Sequence, residues 1–202
     1  KSVYYHSNSR KKEREESWKR NLENGLWVWW NEDGKKNQEG NYRSGQQHGT
    51  WINYNEKGRK IEESQWKNGE LFGKTTLWDK NGNKTILKSF KEDEKDGLWI
   101  WWSPNGKKVK EGNFKLGDKN GKWTYYHANG KKKRLENYKL GKKNGKLIVW
   151  FENGQKEREE SYKNDEKHGK WTYWFENGRL DKEEKYTNGI QTDGKHYDYF
   201  DN

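Results

Sequence analysis

The chain is 202 residues long, 27% hydrophobic and 37% charged, with a net charge of +11. Its mean hydropathy of -1.71 excludes a deep aliphatic core and, taken alone, points to disorder. Against that stand 14 Trp, 12 Tyr and 6 Phe. Each ring buries roughly 150–250 Å², so a few per segment hold a thin sheet together, and one layer of sheet is expected rather than a sandwich.

A period of 24 residues organises the sequence, marked by Gly25, Gly49, Gly73, Gly97, Gly121, Gly145 and Gly169. With that glycine numbered as position 0, position 9 is again glycine, from Gly34 to Gly178, and position 17 is aromatic: Tyr42, Trp66, Phe90, Phe114, Tyr138, Tyr162 and Tyr186. A fixed period of this kind implies an array of one small unit. The spacing predicts a single repeat array over 1–202. It comprises a degraded cap over 1–24, repeats over 25–48, 49–72, 73–96, 97–120, 121–144, 145–168 and 169–193, and a partial cap over 194–202.

In chain order, Val3, Tyr5, Trp18 and the charged run 10–16 match a repeat that lacks a turn glycine. Each full repeat then opens with a strand carrying large residues at positions 2, 4 and 5, as in Trp27, Trp29 and Trp30 or Trp123, Tyr125 and Tyr126. Positions 8 and 9 form a turn pair: Asp33-Gly34, Lys57-Gly58, and Asn-Gly at 81–82, 105–106, 129–130, 153–154 and 177–178. Asn-Gly and Asp-Gly tolerate positive φ at both central residues, which predicts a two-residue type I′ hairpin turn. A second strand of the form Lys-Lys-x-x-Glu-x-x-Tyr-Lys follows, and a polar Gly/Asn/Asp loop leads to the next repeat. Tyr197-Asp198-Tyr199-Phe200 is predicted as a final first strand. The expected fold is all-β, an elongated single-layer antiparallel β-meander: a repeat ribbon of 24-residue β-hairpin units with roughly 16 or 17 strands.

A two-residue turn at positions 8 and 9 sets 7 opposite 10, 4 opposite 13, 2 opposite 15 and 0 opposite 17. The ring at 17 then covers the strand glycine at 0. Because side chains alternate along a strand, positions 0, 2, 4 and 17 share one face, expected to be buried, and 3, 5 and 14 share the other. The second face carries a candidate exposed aromatic ladder at position 5: Trp30, Tyr54, Trp78, Trp102, Tyr126, Trp150 and Trp174. It also carries the recurring Glu39, Glu63, Glu111, Glu159 and Glu183.

The pattern Gly-x-Trp-x-x-Trp/Tyr…Asn-Gly-Lys-Lys…Glu-x-x-Tyr-Lys-x-Gly resembles the bacterial variant of the MORN repeat (MORN_2), found in the YwqK-type toxin–antitoxin system antitoxin family. The segments 121–126 and 169–178 carry the resemblance best, and it covers almost the entire chain. It implies a repeat fold with scaffold, lipid-associated or toxin-neutralising roles. Thr75, Leu77, Leu147 and Val149 depart from the pattern. A looser similarity links the chain to choline-binding repeats of cell-wall proteins, whose period is shorter.

Catalysis, a metal site and a cofactor are not expected. The sequence has no Cys, which excludes disulfides, thiolate metal ligands and a Cys nucleophile. His48 and His168, each preceding a repeat glycine, read as loop residues too far apart to share a metal. The recurring glutamates read as a ladder paired with lysines across strands rather than as acid–base carboxylates. There is no nucleophile elbow and no phosphate-cradling glycine loop opening a helix. No stretch approaches the ~20 apolar residues of a membrane-spanning helix. Lys1 stands in repeat frame without an initiator Met, which leaves room for a removed N-terminal secretion signal, so cytoplasmic and secreted locations both stay open.

The charge is uneven. Residues 97–120 carry +3 and 121–144 carry +7, whereas each repeat between 25 and 96 lies between 0 and +1 and the stretches after 144 are each -1. This singles out Lys107, Lys108, Lys131, Lys132, Lys133, Arg134, Lys139, Lys142 and Lys143 as a candidate patch for an anionic partner. The leading expectation is a non-enzymatic protein-binding scaffold, antitoxin-like or immunity-like, that meets an acidic protein surface. The alternatives are a secreted or surface-exposed module, such as an adhesin, binding a cell-wall polymer or an anionic membrane surface, and, ranked lower, nucleic-acid binding. The aromatic ladder offers sugar or quaternary-ammonium binding. No small-molecule substrate is expected.

Overall fold

A computed structural model describes residues 1–197, and its regular structure is all strand: 23 strands and no helix among the described residues. The chain forms two compact units, Lys1–Gly97 with Pro104–Gly106, and Leu98–Ser103 with the chain from Lys107 onward. Each is an antiparallel meander of successive hairpins. In the first, Ser2–Tyr5 pairs with Lys12–Glu16, which pairs with Gly25–Trp30, and so on to Gly73–Trp78 and Lys84–Lys91. In the second, Lys108–Lys115 pairs with Asp118–Tyr126, and the succession runs to Leu180–Thr187 and Ile190–His196. The strand predicted over 197–200 falls, beyond Tyr197, outside the described residues; a strand precedes it at Ile190–His196.

The central register is the predicted one. Gly25 pairs with Tyr42, Trp27 with Gly40 and Trp29 with Gln38, and the same offsets recur at Gly121–Tyr138 and Gly169–Tyr186. The turn that produces it is different. Gly34 N–H donates to Asn31 O at 2.8 Å, Asn31 N–H donates to Lys35 O at 2.8 Å, and of the loop residues only Gly34 has positive φ. The loop is therefore a type I turn closed by a left-handed glycine, three residues long, not a two-residue type I′ turn. Position 6 faces 10, correcting the expected pairing of 7 with 10. One residue later a bulge skips Asn37, so that Trp30 pairs with Lys36 but Trp29 with Gln38. The longer loop and the bulge each shift the register by one, in opposite senses, and cancel. The side chain at position 8 stabilises this loop: Asp33 and Asn129 each accept the N–H two residues on, from Lys35 and Lys131, at 2.9 Å.

The type I′ turns lie at the other end of each hairpin, where only a polar loop was expected. Arg43 pairs with Gln46 across Ser44 (φ 52°) and Gly45 (φ 82°), and Lys67 with Glu70 across Asn68 (φ 53°) and Gly69 (φ 84°). These turns stack through their own backbone: Gly45 N–H donates to Glu23 O, Gly69 N–H to Gln47 O and Gly141 N–H to Lys119 O, each at 2.9 Å.

The glycine at position 0 does more than sit under a ring. Gly25 has φ +101° and Gly145 φ +103°, so the strand kinks there. The kink turns the Trp at position 2 back over the preceding repeat. Trp27 Nε1–H donates to Ser17 O and Trp171 Nε1–H to Ser161 O, both at 3.0 Å. Each of these carbonyls also accepts a backbone N–H, from Asn24 and His168, so both lone pairs are used. After Glu16, Ser64, Lys88, Glu136 and Glu160 at position 15 the next strand is split into a two-residue arm and a six-residue strand, whereas after Glu184 it runs as the single strand Ile190–His196. Where position 15 is Gly40 or Gly112, the strand runs unbroken for nine residues, Gln46–Tyr54 and Asp118–Tyr126. These splits raise the strand count above the expected 16 or 17.

The face of positions 2, 4 and 17 is the buried one. Trp27, Trp51, Trp99, Trp123 and Trp171 are all buried. The rings form chains, with Trp27–Tyr42 at 5.2 Å and Tyr42–Trp51 at 5.0 Å in one unit and Trp99–Phe114 at 5.1 Å and Phe114–Trp123 at 5.0 Å in the other. Edge-to-face pairs of this kind contribute about 0.5–1.5 kcal/mol each beyond area burial. Position 3 on the opposite face is buried too at Val28, Ile100 and Thr172.

Candidate protein-binding site

The basic repeat 121–144 contains one acidic residue, Glu136, and the fold buries it. On one strand, alternate side chains point to the aromatic face, so positions 13, 15 and 17 line up there. Arg134 Nε lies 3.3 Å from Glu136 Oε1, and the Tyr138 hydroxyl donates to Glu136 Oε2 at 3.0 Å. Arg134 also covers the Tyr125 ring at 4.3 Å. The same triplet recurs as Arg158–Glu160–Tyr162, Lys182–Glu184–Tyr186 and, with an indole donor, Arg14–Glu16–Trp18. Burial and the adjacent Glu136 carboxylate push the Tyr138 phenol well above its ordinary value. Burial alone would raise the Glu184 carboxyl; hydrogen bonds from Lys182 and Tyr186 outweigh it and hold that group below the ordinary carboxylate value. These triplets were missed in the sequence, although the alternation Arg-x-Glu-x-Tyr is visible in it at 134–138 and 158–162.

With Glu136 occupied by Arg134, nothing in this repeat neutralises its remaining cations. The nine predicted patch residues separate into distinct places. Lys107 and Lys131 lie at the type I hairpin turns, where their ammonium groups donate to Ala128 O at 3.0 Å and Asn153 O at 2.8 Å. Lys132 stands beside Lys131 near the Trp150 ring. Lys108 is paired with Glu111 at 2.7 Å. Arg134 and Lys143 belong to the aromatic face, Lys143 lying 5.0 Å from the Tyr162 ring centre. Lys139 and Lys142 pair across the type I′ turn at the opposite edge. Lys132, Lys133, Lys139 and Lys142 are exposed and form no ion pair among the described residues.

In two adjacent repeats the first central residue of this turn is leucine. Leu116 and Leu140 occupy its first central position, with φ 49° each, and are 65% and 58% exposed. A left-handed backbone costs a leucine roughly 1–2 kcal/mol.

The position-5 ladder is half-buried along its length. The Tyr54 hydroxyl donates to Glu39 and that of Tyr126 to Glu111, both at 2.5 Å. Burial, with the Glu111 hydrogen bond behind it, pushes the Tyr126 phenol up to about 12. Lysines 5.5 Å from the ring centres cover Trp30, Trp78 and Trp174. The position-14 glutamates do pair with lysines, though mostly along their own strand: Lys36–Glu39 at 2.6 Å, Lys60–Glu63 at 2.5 Å and Lys156–Glu159 at 2.6 Å. The bulge after position 11 is the reason, because it turns that lysine onto the face of position 14. Cross-strand pairs are added by Lys146–Glu159, at 2.5 Å, and Lys170–Glu183. His48 lies inside a strand rather than a loop, and no group of three His, Cys, Asp or Glu among the described residues could hold a metal ion.

The profile of a family described as "MORN repeat variant" matches residues 23–44, 95–116, 119–140, 143–164 and 167–188, more than half of the chain. The chain belongs to this family. Each MORN match begins two residues before a repeat glycine, in one phase with the hairpins. Residues 45–94 lie between matched segments; they include Asn53, Thr75 and Leu77 at positions where most repeats have rings, although 143–164 is matched with Leu147 and Val149 there. MORN repeats are typically binding modules, consistent with a non-enzymatic scaffold. No curated protein matches the chain.

Proposed function

We propose that this MORN-repeat chain is a non-enzymatic scaffold that binds an acidic partner protein through residues 97–144, with neutralisation of that partner, as by an antitoxin, as the outcome of binding. The observation that carries the reading is the fate of Glu136: the one carboxylate of the most basic repeat is buried against Arg134 and Tyr138. The exposed Lys132, Lys133, Lys139 and Lys142 are left without a counter-charge among the described residues. Unpaired charge of one sign at both ends of the strand Lys132–Lys139, on a hydrogen-bonded scaffold, steers a partner of opposite sign. The aromatic ladder is a weaker candidate for cationic or sugar ligands, since the chain's own lysines already lie over several of its rings.

The test is affinity capture with the wild-type chain and with K132E/K133E/K139E/K142E, with retained proteins quantified. The reading expects acidic proteins that the wild type retains and the variant loses. Equal retention by both, or capture of glycan or nucleic acid alone, would overturn it.

A further inference from the structure

Resting on that reading, we infer that Leu116 and Leu140 are the apolar anchors of the docking surface, and that the partner presents an acidic segment with apolar side chains among its carboxylates. The type I′ turn demands a left-handed residue at its first central position; Asn serves there at Asn68, Asn164 and Asn188, Ser at Ser44, and the charged Arg20 and Glu92 hold it with their polar ends in water, so the two leucines are the apolar residues among these. Asn tolerates that backbone and leucine does not. Two adjacent repeats nevertheless carry leucine, and both residues are exposed and stand outside the buried core. The turns cannot relax: Lys115 pairs with Asp118, Lys139 pairs with Lys142, and Gly141 N–H is tied to Lys119 O. A strained conformation that exposes a large apolar side chain reduces stability without a return inside the chain, the signature of a residue kept for contact with something else.

The neighbouring charges define that partner. Lys115, Lys139 and Lys142 flank the leucines on the same two turns, and all three are exposed and without an ion pair among the described residues. The surface ends at the next turn, where Asp165 and Glu166 reverse the sign. Asp118 stands beside Gly141, its Oδ1 3.3 Å from where a Cβ on that glycine would lie. A carboxylate between the two leucine turns is repelled by a uniformly anionic lipid surface, whereas a polypeptide can meet it with a backbone N–H. That favours a protein segment, with anchors filling apolar pockets and charges at the rim.

The experiment selects a displayed library of random short peptides on the full chain, then measures the enriched peptides against L116N/L140N and against K115Q/K139Q/K142Q. Asn is native to this turn position elsewhere in the chain, so L116N/L140N is expected to fold and to unfold at a higher temperature than the wild type. The inference expects enriched peptides that combine Asp or Glu with Leu, Ile or Phe, and a loss of about tenfold or more on removal of the leucines. Peptides that depend on the lysines but bind L116N/L140N unchanged overturn the anchors and leave the acidic-partner reading standing. Absence of acidic peptides overturns both. A lower unfolding temperature for L116N/L140N makes the leucines structural and overturns the inference. Leucine-dependent binding to phosphatidylserine vesicles without peptide binding replaces the protein segment by lipid.

Discussion

The indole of Trp123 lies on the backbone of Gly112, so close that a Cβ on that glycine would sit 2.2 Å from the ring. Trp51 covers Gly40 in the same way, at 2.1 Å. In both places the strand bearing the Trp pairs directly through the contact and runs unbroken. A methyl group there must displace the ring, and Trp123 is only 2% exposed, with nowhere to go. G112A is therefore expected to destabilise the protein by about 1–3 kcal/mol, as an overpacked core does. Denaturant titration checks it, and an unchanged midpoint would contradict the contact.

Tyr138 supplies a hydrogen bond to a carboxylate buried to 4% exposure, Glu136. Y138F leaves that oxygen short of a donor, and the expected cost is about 1–3 kcal/mol. Tyr42 occupies the equivalent position two residues after Gly40, which stands in place of the glutamate, and its hydroxyl makes no hydrogen bond among the described residues. Y42F should stay within about 0.5 kcal/mol of wild type. Equal effects of the two substitutions would remove the carboxylate from the explanation.

Acid should weaken the fold through groups such as Glu159 and Glu184. Hydrogen bonds from Lys146 and Lys156 hold the Glu159 carboxyl below its ordinary value of 4.5. For Glu184, burial acts upward but Lys182 and Tyr186 prevail, with the same net direction. Carboxyls whose folded value is depressed contribute stability that is fully present above the unfolded value and lost as pH falls through the folded one. The thermal midpoint is thus expected to hold from neutrality to about pH 5 and decline below it, and E159Q/E184Q to decline less. A variant as acid-sensitive as the wild type would count against these two groups.

Gly130 has φ +90° and no atom within 4 Å of an added Cβ, so substitution there is a test of backbone conformation alone. G130V should cost about 1–3 kcal/mol. Because repeat arrays depend on nearest neighbours, hydrogen exchange should accelerate in 121–144 while 25–48 keeps its protection. Uniform loss of protection along the chain would argue against the array.

The repeat period determined a great deal by itself. Glycine at 0, 9 and an aromatic at 17, with alternation between them, specify hairpins, their phase and the two faces, since period-two patterning and loop length fix strand pairing locally. That is why Gly25 meets Tyr42 as expected. Tertiary structure decided which end of each hairpin takes the type I′ turn. Both ends offer Asn and Gly, and the choice depends on a bulge at Asn37 and on stacking such as Gly45 N–H to Glu23 O, contacts with no local signature. It also decided that Glu136 is consumed by Arg134, that the basic patch divides between the two edges of the sheet, and that Leu116 and Leu140 stand strained in solvent. The sequence names the charges and the leucines; only the folded chain shows which of them have already found a partner, because pairing is a property of distance between strands and not of order along the chain.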